Sequence, residues 1–236
     1  PKTGQRILMY HSVRNESTFK ISKNIYTLNS NLFVEHMRYL RDYFNQHIEK
    51  LGVDNSHPQN KFVLNITFDD GFKDNLTVVA PIMEELKIPF TVFVATDFLD
   101  SSNPLHLDQR ELKELAAMSL VTIGSHSKSH VNLTQLNRNQ IQEEVQSSKL
   151  ILEDIIGAEV NGFSYPFGGV NKRVRDIVEE SDYRYAANSC FYINNKTDDR
   201  FMLSRNEIWN TDTNLIFQEK IQGYWDWLHL NHKYKI

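Results

Sequence analysis

Asp69 and Asp70 stand side by side in Thr67-Phe-Asp-Asp-Gly71, directly after the apolar run Phe62–Phe68. Further along, Ser125-His-Ser-Lys-Ser-His130 places His126 and His130 four residues apart. On one helical turn that spacing turns both rings the same way, which suits two ligands on one metal ion. Two neutral imidazoles need an anionic oxygen to complete a facial triad, and an adjacent strand end carrying two carboxylates would supply it. Side chains of consecutive residues diverge, so one carboxylate can ligate while the other stays free to take a proton. Each motif alone has a plainer reading: His-x-x-x-His as a polar turn with two solvated histidines, Asp-Gly as an ordinary turn. Their combination carries the chemical reading.

Residues with such roles must be held at fixed positions, and the hydrophobic pattern indicates how. Short apolar runs predict strands at Arg6–Tyr10, Phe62–Phe68, Phe90–Ala95, Val121–Gly124, Gly162–Tyr165, Tyr185–Ala187 and Met202–Arg205. Helical periodicity predicts helices at Ser30–Phe44, Leu76–Leu86, Asp108–Met118, Lys172–Ser181 and Thr213–Leu228. Another, opened by a capping box of Asn137 and Gln140, runs to about Ile156 and is closed by Gly157. Strands alternating with helices, with no Gly-rich dinucleotide loop after the first strand, predict an α/β fold: a distorted (β/α)7 barrel, one domain over residues 1–236. Barrel chemistry belongs at the C-terminal ends of strands. There the sequence offers Tyr10-His11-Ser12, Asp69-Asp70, the His126–His130 segment, Tyr165-Pro166-Phe167-Gly168 and, near the last strand, Arg205. The polar stretches Val13–Asn24 and Gly52–Lys61 read as surface loops.

Composition bounds the alternatives. With 40% apolar residues and 14 Phe, 10 Tyr and 3 Trp, the chain can bury a large core. Against 30 Asp plus Glu, 26 Lys plus Arg leave a net charge of −4, which gives no electrostatic footprint for nucleic acid. The one cysteine, Cys190, excludes an internal disulfide and a cysteine-based zinc site. No apolar window approaches the ~18 residues of a membrane span. The sequence starts Pro1-Lys2-Thr3 without Met, and the expectation is an exported monomer whose signal or anchor has been trimmed.

At these residues the sequence resembles the polysaccharide deacetylases of carbohydrate esterase family 4, over roughly His11 to Arg205. Thr67–Gly71 is similar to the family's first motif, which implies Asp69 as general base and Asp70 as metal ligand. His126–His130 is similar to the second, which implies two further ligands to one divalent ion, best Zn²⁺, with Co²⁺, Ni²⁺, Mn²⁺ or Fe²⁺ as alternatives. Tyr165–Gly168 looks like a variant of the third, which implies a groove wall of Tyr165, Pro166 and Phe167 and an oxyanion donor in the Phe167 N–H. The family's arginine two residues before the proline is replaced by Ser164. Arg205 is the candidate to orient Asp69 instead, an ordinary surface arginine being the other reading. For the acid, Leu228-His229 superficially fits a late family motif, but Met9-Tyr-His11-Ser12 is preferred. That N-terminal position is similar to the biofilm poly-N-acetylglucosamine deacetylases. The implied reaction removes N-acetyl groups from an amino-sugar polysaccharide, with His11 protonating the leaving amine.

The rivals are few. A glycosidase would need carboxylates ~5–9.5 Å apart across a sugar and no histidine pair. A haloacid-type phosphatase would want its two aspartates separated by one residue. A non-catalytic sugar-binding relative draws support from Ser164, and a deformylase or deacetylase of a lipid-linked aminosugar would differ in acyl group or carrier. Tyr10, Phe72, Tyr165, Phe167, Phe191 and Trp209 are candidate sugar-stacking rings, most of them expected in the core.

Overall fold

The computed structural model describes residues 3–15, 24–52, 61–100 and 102–230. Parts of the two predicted surface loops, residues 16–23 and 53–60, lie outside them. The strands are β1 (Gly4–Tyr10), β2 (Ser12–Arg14), β3 (Thr27–Asn29), β4 (Phe62–Phe68), β5 (Phe90–Val94), β6 (Val121–Ser125), β7 (Gly162–Ser164), β8 (Tyr185–Ala187) and β9 (Asn206–Glu207). The helices are α1 (Ser30–Phe44), α2 (Ala80–Leu86), α3 (Gln109–Ala116), α4 (Arg138–Ile156), α5 (Lys172–Glu180) and α6 (Asn214–Gln222).

Seven strands form one parallel sheet in the order β8-β7-β6-β5-β4-β1-β9. It curls into a distorted (β/α)7 barrel, and Leu203, in the segment leading into β9, bridges to Ala187 of β8 at the other end of the sheet. Strand β4 is buried along its whole length, as a parallel strand covered on both faces must be. The main core packs α1 (Phe33, Met37, Leu40), α2 (Met83, Leu86) and α4 (Ile141, Val145, Leu152) onto the sheet. Helix α4 opens with the capping box of Asn137 and Gln140 and ends on Gly157, which turns left-handed at φ 69°.

Three predicted helices are shorter than their hydrophobic pattern. Asp108 caps α3 instead of starting it, with Glu111 completing the box. Residues Asn75–Val79 form a π-helical turn ahead of α2. The last helix stops at Gln222 because Gly223 adopts φ 90°, and a short 3₁₀ turn, Asp226–Leu230, follows. The seventh strand is not Met202–Arg205 but Asn206–Glu207, paired with Leu8 and Met9 of β1. The apolar pair Met202-Leu203 misleads, since Leu203 bridges to β8 while the chain still crosses the barrel mouth. Strands β2 and β3, three residues each and parallel to one another, fall below what periodicity detects.

Among the described residues no helix is long and apolar enough to cross a membrane.

Candidate active site

Register sets the site. Tyr10 of β1 lies opposite Phe68 of β4, and the Asp69 N–H donates to the Tyr10 carbonyl at 2.9 Å, so His11 and Asp69 leave neighbouring strands at one level. Val94 of β5 pairs with Ser125 of β6, and the His126 N–H donates to the Val94 carbonyl at 2.9 Å. Both anchors are ladder bonds, as rigid as the sheet.

Beyond the strand ends the backbone turns sharply. Asp70 adopts φ 75° and Gly71 follows at φ 70°, which swings consecutive carboxylates apart. The segment carrying the histidines is a loop rather than the expected helical turn. Ser127 and His130 are both left-handed, at φ 65° and 55°. Glu144 of α4 holds this loop: its Oε2 accepts from the N–H groups of Lys128 and Ser129 at 3.0 and 2.8 Å, and its Oε1 from the Ser129 hydroxyl. The two rings converge by that bracing, at 4.8 Å between centroids. Glu144 went unnoticed in the sequence because its position on a long amphipathic helix carries no motif.

The ligand atoms of Asp70, His126 and His130 all lie within 4.8 Å of one another. Asp70 Oδ1 is 3.1 Å from His130 Nε2 and 3.5 Å from His126 Nε2. Donors bound ~2.0–2.2 Å from one ion at tetrahedral to octahedral angles stand roughly 3–3.5 Å apart, so this spacing fits a divalent cation. Asp70 Oδ1 is buried without a hydrogen-bond partner among the described residues, as an oxygen reserved for a metal would be. The His126 ring is oriented by the Ser164 carbonyl, 2.8 Å from Nδ1, which leaves Nε2 free for the ion. Burial pulls the His126 pKa down against the pull of Asp69 and Asp70, keeping the imidazole neutral.

Asp69 is 2% exposed and otherwise engaged. Arg205 meets it with two parallel bonds, Nη1 to Oδ1 and Nη2 to Oδ2, both 2.7 Å. Ser164 donates its hydroxyl to Asp69 Oδ2 at 3.0 Å and accepts from Arg205 Nη2 at 2.8 Å. Burial alone would raise the Asp69 pKa; Arg205 and the nearby histidines outweigh it and hold the carboxyl well below the usual range. Arg205 is 1% exposed, which excludes the surface reading. Its Nε also donates to the Asn188 carbonyl at 2.9 Å, so the guanidinium is locked.

These groups open onto one cleft of about 530 Å³, whose lining includes His11, Asp69, Asp70, His126, His130, Phe167 and Arg205. The His11 ring lies 4.9 Å from that of Tyr26, and its Nδ1 is buried without a hydrogen-bond partner among the described residues. Its carbonyl accepts from Asn75 Nδ2 at 3.0 Å. His229, in the terminal 3₁₀ turn, does not line the cleft; its ring lies 4.6 Å from that of Tyr192, tilted by 53°.

The third-motif segment behaves unevenly. Phe167 is left-handed at φ 58°, 70% exposed, with its ring 4.7 Å from His130. Its N–H donates to no partner among the described residues. Pro166 is buried and does not line the cleft. Tyr165 contributes to the wall but is buried, its hydroxyl donating to the Phe201 carbonyl at 2.9 Å. Of the other rings, Tyr10 is core, whereas Phe72, Phe191 and Trp209 line the cleft.

Comparison with known proteins follows this geometry. The protein YxkH of Bacillus subtilis (strain 168), assigned by name to the polysaccharide deacetylases, is 28% identical over 183 residues, 75% of this chain and 62% of that protein. The poly-β-1,6-N-acetyl-D-glucosamine N-deacetylase of Staphylococcus aureus (strain MRSA252) is 24% identical over 133 residues, 51% of this chain and 45% of that enzyme. The chain thus spans about three fifths or less of these relatives' lengths. The structure of the Streptococcus pyogenes deacetylase PplD in complex with acetate superposes with a TM-score of 0.81 at 20% identity, covering 94% of this chain and 99% of that one; at this identity the likeness establishes the fold. The family model described as polysaccharide deacetylase matches residues 56–186. That stretch is more than half of the sequence and holds both the paired aspartates and the paired histidines, so the chain belongs to the polysaccharide deacetylase family.

Proposed function

We propose that the protein hydrolyses N-acetyl groups from an amino-sugar polysaccharide of the poly-N-acetylglucosamine kind, releasing acetate and a free amine. The observation that carries this reading is the convergence of Asp70, His126 and His130 within ligand distance, beside a second carboxylate held by Arg205. A divalent cation, best zinc, would be held by Asp70, His126 and His130, where it supplies acidity to the attacking water and polarises the acetamido carbonyl.

The remaining roles belong to the chain. Asp69, ionised and fixed by Arg205 and Ser164, takes the proton from the attacking water. Its low basicity makes it an effective acceptor only for a strongly acidified donor. The Phe167 N–H, with no competing partner, faces the developing oxyanion; one such donor is typically worth ~3–4 kcal/mol. His11, on the other side of the cleft, gives a proton to the departing amine, which cannot leave as an anion. An exported location follows from a surface-glycan substrate and is part of the same proposal. The staphylococcal relative's substrate favours a β-1,6-linked polymer.

The test is acetate release from N-acetylglucosamine oligomers. Zinc-loaded protein is expected to release acetate, a chelator to stop it, and Asp69→Asn to retain zinc while losing ~10²–10⁴-fold in rate. Release that is indifferent to both chelator and Asp69→Asn would overturn the reading.

A further inference from the structure

The same cleft is also lined by residues that the proposed reaction does not use. Tyr26, Phe191, Trp209 and Leu228 contribute rings and an apolar side chain, and Glu207 contributes a carboxylate. Glu207 ends β9 opposite Met9 of β1, so it is as rigidly placed as His11, two residues beyond Met9. Its Oε2 accepts from the Trp209 indole N–H at 2.8 Å. Among the described residues no cation lies within ion-pair distance of the carboxylate. The neighbouring Lys220 spends its ammonium on the Asp212 carboxylate and on the Glu207 backbone carbonyl, at 2.5 and 2.8 Å.

The other charges of the cleft are accounted for. Asp69 is matched by Arg205, and Asp70 belongs to the metal-binding set. Among the described residues Glu207 is thus a cleft carboxylate with no ion pair of its own; its charge is felt by the ammonium of Lys220, which is committed to Asp212, and by the Tyr26 phenol, whose pKa it raises. The wall behind it is built at some expense. Lys220 is fully buried, its Nζ 3.9 Å from the Trp209 ring centroid, and Asp212 also accepts from the Trp209 backbone N–H at 2.9 Å. Burying an ion pair is costly and gives little net stability, and here it fixes the indole that in turn holds Glu207. Aromatic rings beside a carboxylate that has no ion pair among the described residues favour an organic cation.

We propose that Glu207, with Tyr26 and Trp209, binds the ammonium of an already deacetylated amino sugar next to the unit being hydrolysed. The inference rests on the proposed function, which turns a neutral acetamide into an ammonium on the same polymer. A partly deacetylated chain then presents a cation one sugar away from the next acetamide, and the enzyme favours such chains over fully acetylated ones.

Calorimetric binding of a β-linked glucosamine tetramer to the zinc-loaded protein at pH 6, where the amines are protonated, tests this. Wild type is expected to bind it about tenfold more tightly than Glu207→Gln, whose amide oxygen can still accept from Trp209. The affinity for the neutral N-acetylglucosamine tetramer should change much less. Wild-type binding of the glucosamine tetramer should also weaken several-fold between 50 and 500 mM salt, a readout that requires no variant. Equal losses for both oligomers, which would assign Glu207 to sugar hydroxyls, overturn the proposal; so does binding indifferent to the substitution or to salt. Acetate release from the N-acetylated oligomer separates the two readings. Release without Glu207-dependent amine binding removes only this inference, whereas amine binding without release removes only the proposed function.

Discussion

Arg205 and Ser164 share the task of holding Asp69: the serine occupies the position where the family pattern has its arginine, and the arginine comes from elsewhere. The serine hydroxyl is too short to replace a guanidinium, so it relays: it touches both Asp69 and Arg205, and the arginine arrives from the segment just before β9, 136 residues away in sequence. Two parallel bonds from a planar fork fix the carboxylate's position and rotation together, which an ammonium cannot do. Arg205→Lys is therefore expected to keep the fold and the metal but lose ~10–100-fold in acetate release, the carboxylate being free to rotate. Arg205→Ala leaves a buried carboxylate uncompensated and is expected to lower unfolding free energy by about 3–5 kcal/mol in urea titrations. Wild-type rates in the lysine variant would show that charge alone suffices. At this scale the sequence is informative about residue types, and it names Arg205 as a partner for Asp69 only through the family resemblance, with a surface arginine as the other reading. Asp69, Asp70, His126 and His130 were recognisable from spacing, but the pairing of Arg205 with Asp69 depends on how the chain after β8 crosses the barrel mouth. The left-handed backbone of Phe167 has no signature in Tyr-Pro-Phe-Gly beyond the glycine that follows.

The elements show where hydrophobic pattern suffices and where it does not. Strands β1, β4, β5 and β6 are predominantly apolar and legible to within a residue or two. Strand β9 is two polar residues held by β1, so nothing local announces it. The histidine loop owes its shape to α4: without Glu144, the N–H groups of Lys128 and Ser129 would lose the acceptor that turns His130 toward Asp70. Glu144→Gln replaces one acceptor oxygen and weakens the charge-assisted bonds. Zinc affinity is expected to fall about tenfold in a competition titration while helicity is unchanged; an unaltered affinity would mean the loop holds itself. Strand β2 is pinned similarly by Asp74, which accepts from the Ser12 hydroxyl and from the Val13 N–H at 3.0 Å. Burial pushes the Asp74 pKa up to about 6, against the opposing pull of those bonds and of Arg14. Its unfolded value is ~3.9, so between the two values the folded state holds the extra proton. Stability from this group is complete below pH ~4 and declines as pH rises through about 6, by of order 3 kcal/mol. Asp74→Asn removes that slope. Its unfolding free energy relative to wild type should thus rise between pH 4.5 and 7.5, and a pH-independent difference would refute the assignment.

Across the whole molecule, the site is assembled by the sheet and its packed helices rather than by the metal. The ligand-bearing segments leave β4 and β6 through ladder bonds, and those strands are fixed by a core of aliphatic and aromatic side chains that needs no metal ion. This differs from small metal-nucleated domains, whose chains are unfolded without the ion. The removal of metal should therefore separate activity from folding. A chelated sample is expected to release no acetate yet to unfold in one cooperative transition, with the circular dichroism of the loaded protein. Because zinc would bind only the folded state, returning it at 100 times its Kd should raise unfolding free energy by ~2.7 kcal/mol. For a domain of this size that corresponds to a shift of roughly 5–10 °C in Tm. The shift should vanish in His126→Ala, which loses a ligand while the loop's anchors to Glu144 persist. A chelated protein without a cooperative transition would show that the ion organises the strand ends. A full-sized shift in the alanine variant would place the ion away from Asp70, His126 and His130.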